Sequence, residues 1–416
     1  MNASTDFFGW RVVAGAFVLA VFGWGLGFYG PPVYLHAVQE ARQWSVVLVS
    51  TAVTLHFLIG AVVVANLPAL YRRFGQPTVT KAGALLLAIG VIGWAVAREP
   101  WQLLLATLPS GAGWVAMGAA AVNAIIAPWF VHKRPAALSM AYNGASIGGV
   151  IFSPLWVAAI AWLDFPIAAT IIGATMLLTV WLLSDLIFSR TPDSMGQLPD
   201  GETSGVAPAA AASAPSLPGR LLWGDRAFLT LAAAMALGLF AQIGLIAHLF
   251  SLLVPALGEQ AAGIVMGLAT ASAIAGRTAV GWLMPAGSDR RLFACASHVV
   301  QIAGSLALIL AADDNAVLLV AGVLLFGAGI GNTTSLPPLI AQVEFTRADA
   351  QRVVPLIVAI GQGTYAFAPA AFGALRSLSI HETAAVAVAA AIIQGLAVAA
   401  FLAGRRRMPS LAPARS

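Results

Sequence analysis

Charge is what this sequence lacks. Only 9% of its 416 residues are Asp, Glu, Lys or Arg, against about 25% in soluble globular domains. A water-facing exterior cannot be built from that supply, so lipid has to cover the outside. Cysteine is nearly missing too, and the single Cys295 rules out an intrachain disulfide and a cysteine-cluster metal site. The sequence carries no P-loop, metal-ligand cluster or nucleophile motif, so an enzyme is not expected, nor is a metal or cofactor. The formal charge of +5 does not point to nucleic acid, because Lys and Arg fall in short clusters between apolar runs and not along one face.

What is present is hydrophobic sequence, 60% of the chain. About 20 apolar residues cross a hydrocarbon core as a helix, and twelve such runs can be marked. The first six lie near 11–35, 45–70, 78–97, 102–127, 136–162 and 166–188. The second six lie near 226–250, 261–285, 292–312, 316–341, 352–376 and 383–403. The first run is too long for a signal-peptide core and reads as an uncleaved span. Between the sets, 190–225 is rich in Pro, Ala, Gly and Ser, above all from Ala207 to Pro218, and reads as a cytoplasmic linker. The organisation expected is a six-helix bundle over 1–189, the linker, a second bundle over 226–404 and a basic tail over 405–416.

With both termini inside, seventeen of the 21 Lys and Arg residues fall in inner segments, and only Arg42, Arg98 and Arg376 in outer loops. That bias satisfies the positive-inside rule for a multi-pass inner (cytoplasmic) membrane protein. Glycines recur at close spacing, as at Gly23, Gly25 and Gly27 or Gly327, Gly329 and Gly331, which suits close helix packing. Pro31-Pro32, Pro154, Pro337-Pro338 and Pro369 mark expected helix interruptions.

One basic residue fits neither side. Arg277 stands mid-span in the eighth run, where an arginine costs about 2.5–3.5 kcal/mol on insertion scales. No Asp or Glu lies deep in any run to pair with it, so the missing anion is read as the substrate. A planar guanidinium matches a carboxylate bidentately, which makes a small carboxylate the first guess. His248 is the intramembrane histidine linked to transport, whereas His56 and His298 are read as interhelical hydrogen-bonding groups. Tyr29, Tyr34, Asn123, Tyr142, Asn143, Asn332, Gln362 and Tyr365 complete the expected substrate-binding set. Gln362, Tyr365 and Pro369 recur at i, i+3 and i+7 and form one face.

Leu70-Tyr71-Arg72-Arg73-Phe74-Gly75 resembles the loop motif of the major facilitator superfamily, with Arg72 where that motif usually has Asp. Ala127-Pro128-Trp129-Phe130 through Lys133-Arg134, then Asn143-Gly144 and Ser153-Pro154-Leu155, is similar to the pattern of its monocarboxylate porter group, which includes oxalate/formate exchanger-like proteins. Ala247-His248-Leu249, Gly276-Arg277, Gly281-Trp282-Leu283 and Pro337-Pro338-Leu339-Ile340 extend the likeness over nearly the whole chain. The resemblance implies an all-α membrane fold of twelve transmembrane helices in two pseudosymmetric six-helix bundles, rocking about a central site. It also implies that Arg277 holds the substrate carboxylate, while Ala273 stands where members often carry a proton-coupling acid.

The expected function is secondary transport of a small organic anion, a monocarboxylate first, as a monomer, with a proton or counter-anion as coupling partner. Efflux of drugs or other apolar solutes is the second reading, although Ser153-Pro154 lacks the following Gly pair of such antiporters. A nontransporting receptor that keeps the fold is the third.

Overall fold

A chain this apolar must bond its own backbone wherever lipid surrounds it, and the helix does so within one segment. The computed structural model describes residues 7–201, 219–285, 288–311 and 315–405. The tract 207–218 and the basic tail beyond Arg405 lie outside the described residues. Among the described residues, twelve helices are long and apolar enough to cross a membrane.

The first six spans run through α1 (Gly9–Gly27), α2 (Gly30–Arg42), α3 (Val46–Phe74), α4 (Gln76–Val96), α5 (Pro100–Ala116), α6 (Ala119–Ile126), α7 (Arg134–Leu163) and α8 (Phe165–Leu183). After the short α9 (Gly219–Leu222), the last six comprise α10 (Arg226–Leu257), α11 (Glu259–Leu283), α12 (Arg290–Leu310), α13 (Ala316–Glu344), α14 (Arg347–Tyr365), α15 (Ala368–Ser377) and α16 (Glu382–Ala403). Phe7 packs on Trp129 between the fourth and fifth spans, and Arg405 pairs with Asp289 between the eighth and ninth. Both ends of the described chain therefore lie on one side, the terminus side, and the opposite side is the far side.

Helix starts follow local chemistry. Ser45, Asp225, Asn315 and Thr346 accept from Leu48, Phe228, Leu318 and Asp349 backbone N–H groups, and Pro77, Pro100, Pro135 and Pro166 occupy first turns. Two hairpins turn on one glycine each: Gly75 at φ 80° and Gly258 at φ 76°, a region that costs glycine nothing.

The expected interruptions divide. Pro31-Pro32 opens α2 after a break at Phe28 and Tyr29, and Pro369 follows the break between α14 and α15. Pro154, Pro337 and Pro338 sit inside unbroken helices. The fourth span breaks at Met117 and Gly118, where the sequence shows no proline.

On the terminus side, Asp200 docks the chain after the sixth span onto the start of α7. Its carboxylate accepts from the backbone N–H groups of Val131, His132 and Lys133 at 3.1, 2.7 and 3.0 Å. Burial opposes its charge, yet those three donors hold the carboxyl below the usual carboxylate range. Arg291, one of the seventeen basic residues of the inner segments, is buried, pairing with Glu344 at 2.6 and 2.8 Å and donating to the Ala227 carbonyl at 2.9 Å. It ties α10, α12 and α13 together.

Candidate functional site

The two sets of six spans touch toward the far side. A Cβ on Gly263 would lie 2.9 Å from Cγ2 of Val157, and one on Gly267 would lie 3.0 Å from the Val150 carbonyl, so α11 presses on α7 there. Thr54 Oγ1 on α3 accepts from the Ala370 N–H of α15 at 3.0 Å. Phe57 meets Tyr365 edge-on at 5.7 Å.

Nearer the terminus side the same faces are exposed. Asn143 and Ala136 continue the face of Val157 and Val150 by steps of seven residues, and both are exposed. Ala65 and Pro68 continue the face of Thr54 and Phe57, and both are exposed. Gly281 on α11 has open space where a Cβ would stand. The cleft between the halves is thus shut on the far side and open on the terminus side.

Arg277 sits where the seam gives way to that cleft. Gly276 lets α11 approach α13 closely, since a Cβ there would fall 1.9 Å from the Ala328 carbonyl. Gly331 gives the guanidinium its place: a Cβ on it would lie 2.7 Å from Nε and 2.8 Å from Nη2 of Arg277. Asn332 Nδ2 donates to the Gly276 carbonyl at 3.4 Å. Both Nε of Arg277 and Oδ1 of Asn332 are buried without a hydrogen-bond partner. The site thus holds an unmatched donor and an unmatched acceptor.

Tyr29 comes to this place from the other half. The break between α1 and α2 turns its ring toward Gly149, where the Thr270 methyl also lies, and places its hydroxyl in the field of Arg277. Thr270 was not among the residues singled out from sequence. The signal was available, because Thr270 and Arg277 are seven residues apart on one helix face.

The other expected residues separate into groups. Asn332 and Tyr29 stand with Arg277. Tyr365 flanks the seam through Phe57, and Gln362 is half-buried one turn before it. The helix is interrupted at Ala366 and Phe367, between Tyr365 and Pro369. Asn123 bonds Tyr142, whose hydroxyl donates to the Ala119 carbonyl at 3.1 Å, inside the first half. Asn143 is exposed in the cleft wall. Tyr34 is locked in the first half, donating to the Leu26 carbonyl at 3.2 Å and packed edge-on against Trp156 at 4.9 Å.

His248 belongs to another cluster. At 1.5 Å per residue, its place on α10 is about 13 Å closer to the far side than that of Arg277 on α11. Its Nε2 bonds the Pro369 carbonyl at 2.9 Å, and its Nδ1 receives Nη1 of Arg376 at 3.1 Å. Arg376, expected in an outer loop, is in fact buried in the last turn of α15, where it also bonds Ser251 at 2.7 Å and pairs with Glu382. His56 bridges helices as expected, with Ser110 at 2.8 Å and the Gly27 carbonyl at 2.9 Å. His298 bonds only its own helix, at the Ala294 carbonyl.

Comparison with known proteins accords with this geometry. The "MFS-type transporter 1" of Ophiocordyceps sp. is 30% identical over 190 residues, which are 44% of this chain and 41% of that protein. The "MFS transporter asaE" of Aspergillus flavus is 27% identical over 201 residues, 46% of this chain and 44% of that protein. The chain therefore spans less than half the length of the curated relatives it matches. Among solved structures, a bacterial homolog of the human lysosomal transporter Spinster, inward-facing and unoccupied, matches with a TM-score of 0.74 at 14% identity, over 96% of this chain and 98% of that one. A D-xylose-proton symporter matches at 0.73 and 14%, over 95% of this chain and 97% of that one. These likenesses show the fold. The Major Facilitator Superfamily pattern matches residues 13–369, and the chain belongs to that superfamily.

Proposed function

We propose that the protein is a secondary transporter that moves a small organic anion, a monocarboxylate first, across the cytoplasmic membrane by alternating access. Bundles over 1–189 and 226–404 rock about the cleft, joined by the 190–225 linker, and the charge bias sets both termini in the cytoplasm. The observation that carries this reading is Arg277. Its buried Nε has no acceptor, Tyr29 of the opposite half lies within its field, and no carboxylate lies at its depth in any span.

The chemistry follows from desolvation. Closing the terminus side over an unpaired guanidinium would bury an uncompensated charge. A bound carboxylate neutralises it, so the loaded site closes and the empty one resists. One cation suits a monoanion. With Ala273 in place of an acid, nothing in the protein replaces the substrate's charge on the return step, which favours exchange against a counter-anion over symport with a proton.

The test is uptake of a panel of labelled monocarboxylates by the purified protein in liposomes, with and without a pH gradient or internal carboxylate. Arg277→Ala should reduce uptake by about ten- to a hundredfold, the scale of a lost charged hydrogen bond, and Arg277→Lys should restore part of it. Internal carboxylate should speed uptake more than a pH gradient does. Undiminished uptake of every carboxylate by Arg277→Ala would sink the assignment.

A further inference from the structure

The far-side seam contains a helix start that is capped from the opposite half. α15 begins after the break at Ala366 and Phe367, and its N-cap residue, Phe367, has no side-chain oxygen to offer the first turn. Pro369 has no N–H to place there, and Ala370, the third residue of the helix, gives its N–H to Thr54 Oγ1 of α3 at 3.0 Å. That is the bond an N-cap serine or threonine makes to the third residue of its own helix. Here the oxygen comes from a residue 316 positions away in the sequence.

The setting is dry and tight. Thr54 is 5% exposed, and Ser50, one turn before it on the same face of α3, is fully buried. Gly373, one turn beyond Ala370, lies against Ser50: a Cβ there would stand 2.0 Å from Ser50 Oγ. Ser50 satisfies its own hydroxyl within α3, at the Val46 carbonyl at 2.6 Å. It meets α15 by shape, whereas Thr54 meets it by a hydrogen bond. The same first turn is also held within its own half, where His248 Nε2 donates to the Pro369 carbonyl at 2.9 Å. One anchor thus belongs to the half that carries α15, and the other does not.

We infer that Thr54 is a positioning residue for the transport cycle: it caps α15 only while the far side is shut, and so weights the balance toward that state. The inference rests on the rocking of the two halves and not on the Arg277 substrate. When the halves part, His248 moves with α15 and Thr54 does not, so Ala370 exchanges its cap for water. Without the Thr54 oxygen the shut seam holds a buried N–H with no acceptor, while the parted seam loses nothing. The ratio of parted to shut molecules should therefore rise about five- to thirtyfold in Thr54→Val, the scale of a lost cap or an unmatched buried donor.

The experiment uses the full chain in nanodiscs with Cys295→Ser as background. Spin labels go on Arg98→Cys and Ile380→Cys, exposed far-side positions in the two halves, and distance distributions are measured without substrate. Thr54→Val, close in shape, should enlarge the longer-distance population, and Thr54→Ser, which keeps the oxygen, should return the parent distribution. Gly373→Ala supplies the steric comparison, because its Cβ collides with Ser50 only in the shut seam, and it should enlarge the same population. If Gly373→Ala lengthens the distances and Thr54→Val does not, the cap is overturned and rocking stands; if neither does, both fall. A merely structural loss would lower the melting temperature of Thr54→Val and leave its distances unchanged, which also overturns the inference, as does a Thr54→Ser variant that behaves like Thr54→Val.

Discussion

Arg277 and Arg376 are both arginines in apolar helices, and their partners separate what each can do. Arg376 is matched by His248, Ser251 and Glu382, so it holds α10, α15 and α16 together on the far side. Arg277 keeps a buried donor unmatched, which leaves it available to a ligand. The sequence distinguished Arg277 by its depth in an apolar run. It misplaced Arg376 because hydropathy reports where a run ends and not which way the last turn faces. His248 was drawn toward the substrate for a related reason, since its partner Arg376 is more than a hundred residues away in sequence. A residue-scale consequence concerns Asp200, whose carboxyl is held below the usual range by three backbone donors that outweigh its burial. Its contribution is present above the unfolded value of about 3.9 and is lost as pH falls through the lower folded one. Asp200→Asn should cost about 1 kcal/mol, the scale of a helix cap. Thermal unfolding followed by tryptophan fluorescence should show the gap to wild type narrowing below about pH 4; a gap constant down to pH 3 would show that the charge contributes nothing.

At the scale of elements, α11 and α13 are joined by a seam in which two glycines do different things. At Gly276 the obstacle to a Cβ is the Ala328 backbone carbonyl, at 1.9 Å, which can yield only if the helices part. At Gly331 the nearest obstacle is the Arg277 side chain, which can swing away, and the Ala273 carbonyl stands farther off than the one at Gly276, at 2.9 Å. Gly276→Ala should therefore destabilise the fold by about 1–3 kcal/mol, the range for overpacking. Gly331→Ala should cost less stability than Gly276→Ala while weakening carboxylate binding through displacement of the guanidinium. Equal losses of stability in the two variants would overturn the distinction. The glycine spacing was legible in the sequence as packing, but the same pattern could not say which glycine faces a helix backbone and which faces a guanidinium. Spans were legible for a simpler reason, since a run of apolar residues long enough to cross has few alternatives in lipid. Breaks were less so: Pro154 and the Pro337-Pro338 pair are carried inside straight-through helices, whereas Gly118 interrupts one.

For the whole molecule, the contacts between halves are concentrated toward one side, and this asymmetry is what alternating access requires of a single state. No local pattern in the sequence encodes it, because both states draw on the same residues and differ only in which faces meet. The asymmetry can be tested with disulfides, for Cys295 is the one native cysteine and is readily replaced. A Cβ on Gly263 would stand 3.3 Å from Cβ of Val157, close to the separation of about 3.5–4.5 Å found in disulfides. With Cys295→Ser as background, Val157→Cys with Gly263→Cys should crosslink on mild oxidation, seen as a mobility shift on a non-reducing gel. Asn143→Cys with Gly281→Cys, on the parted faces, should stay reduced and react with a water-soluble maleimide. If transport requires the far side to part, the first crosslink should stop carboxylate flux and a reductant should restore it. Full flux through a completely crosslinked protein would mean that the seam between α7 and α11 does not open during transport, and rocking of the two halves would have to be abandoned.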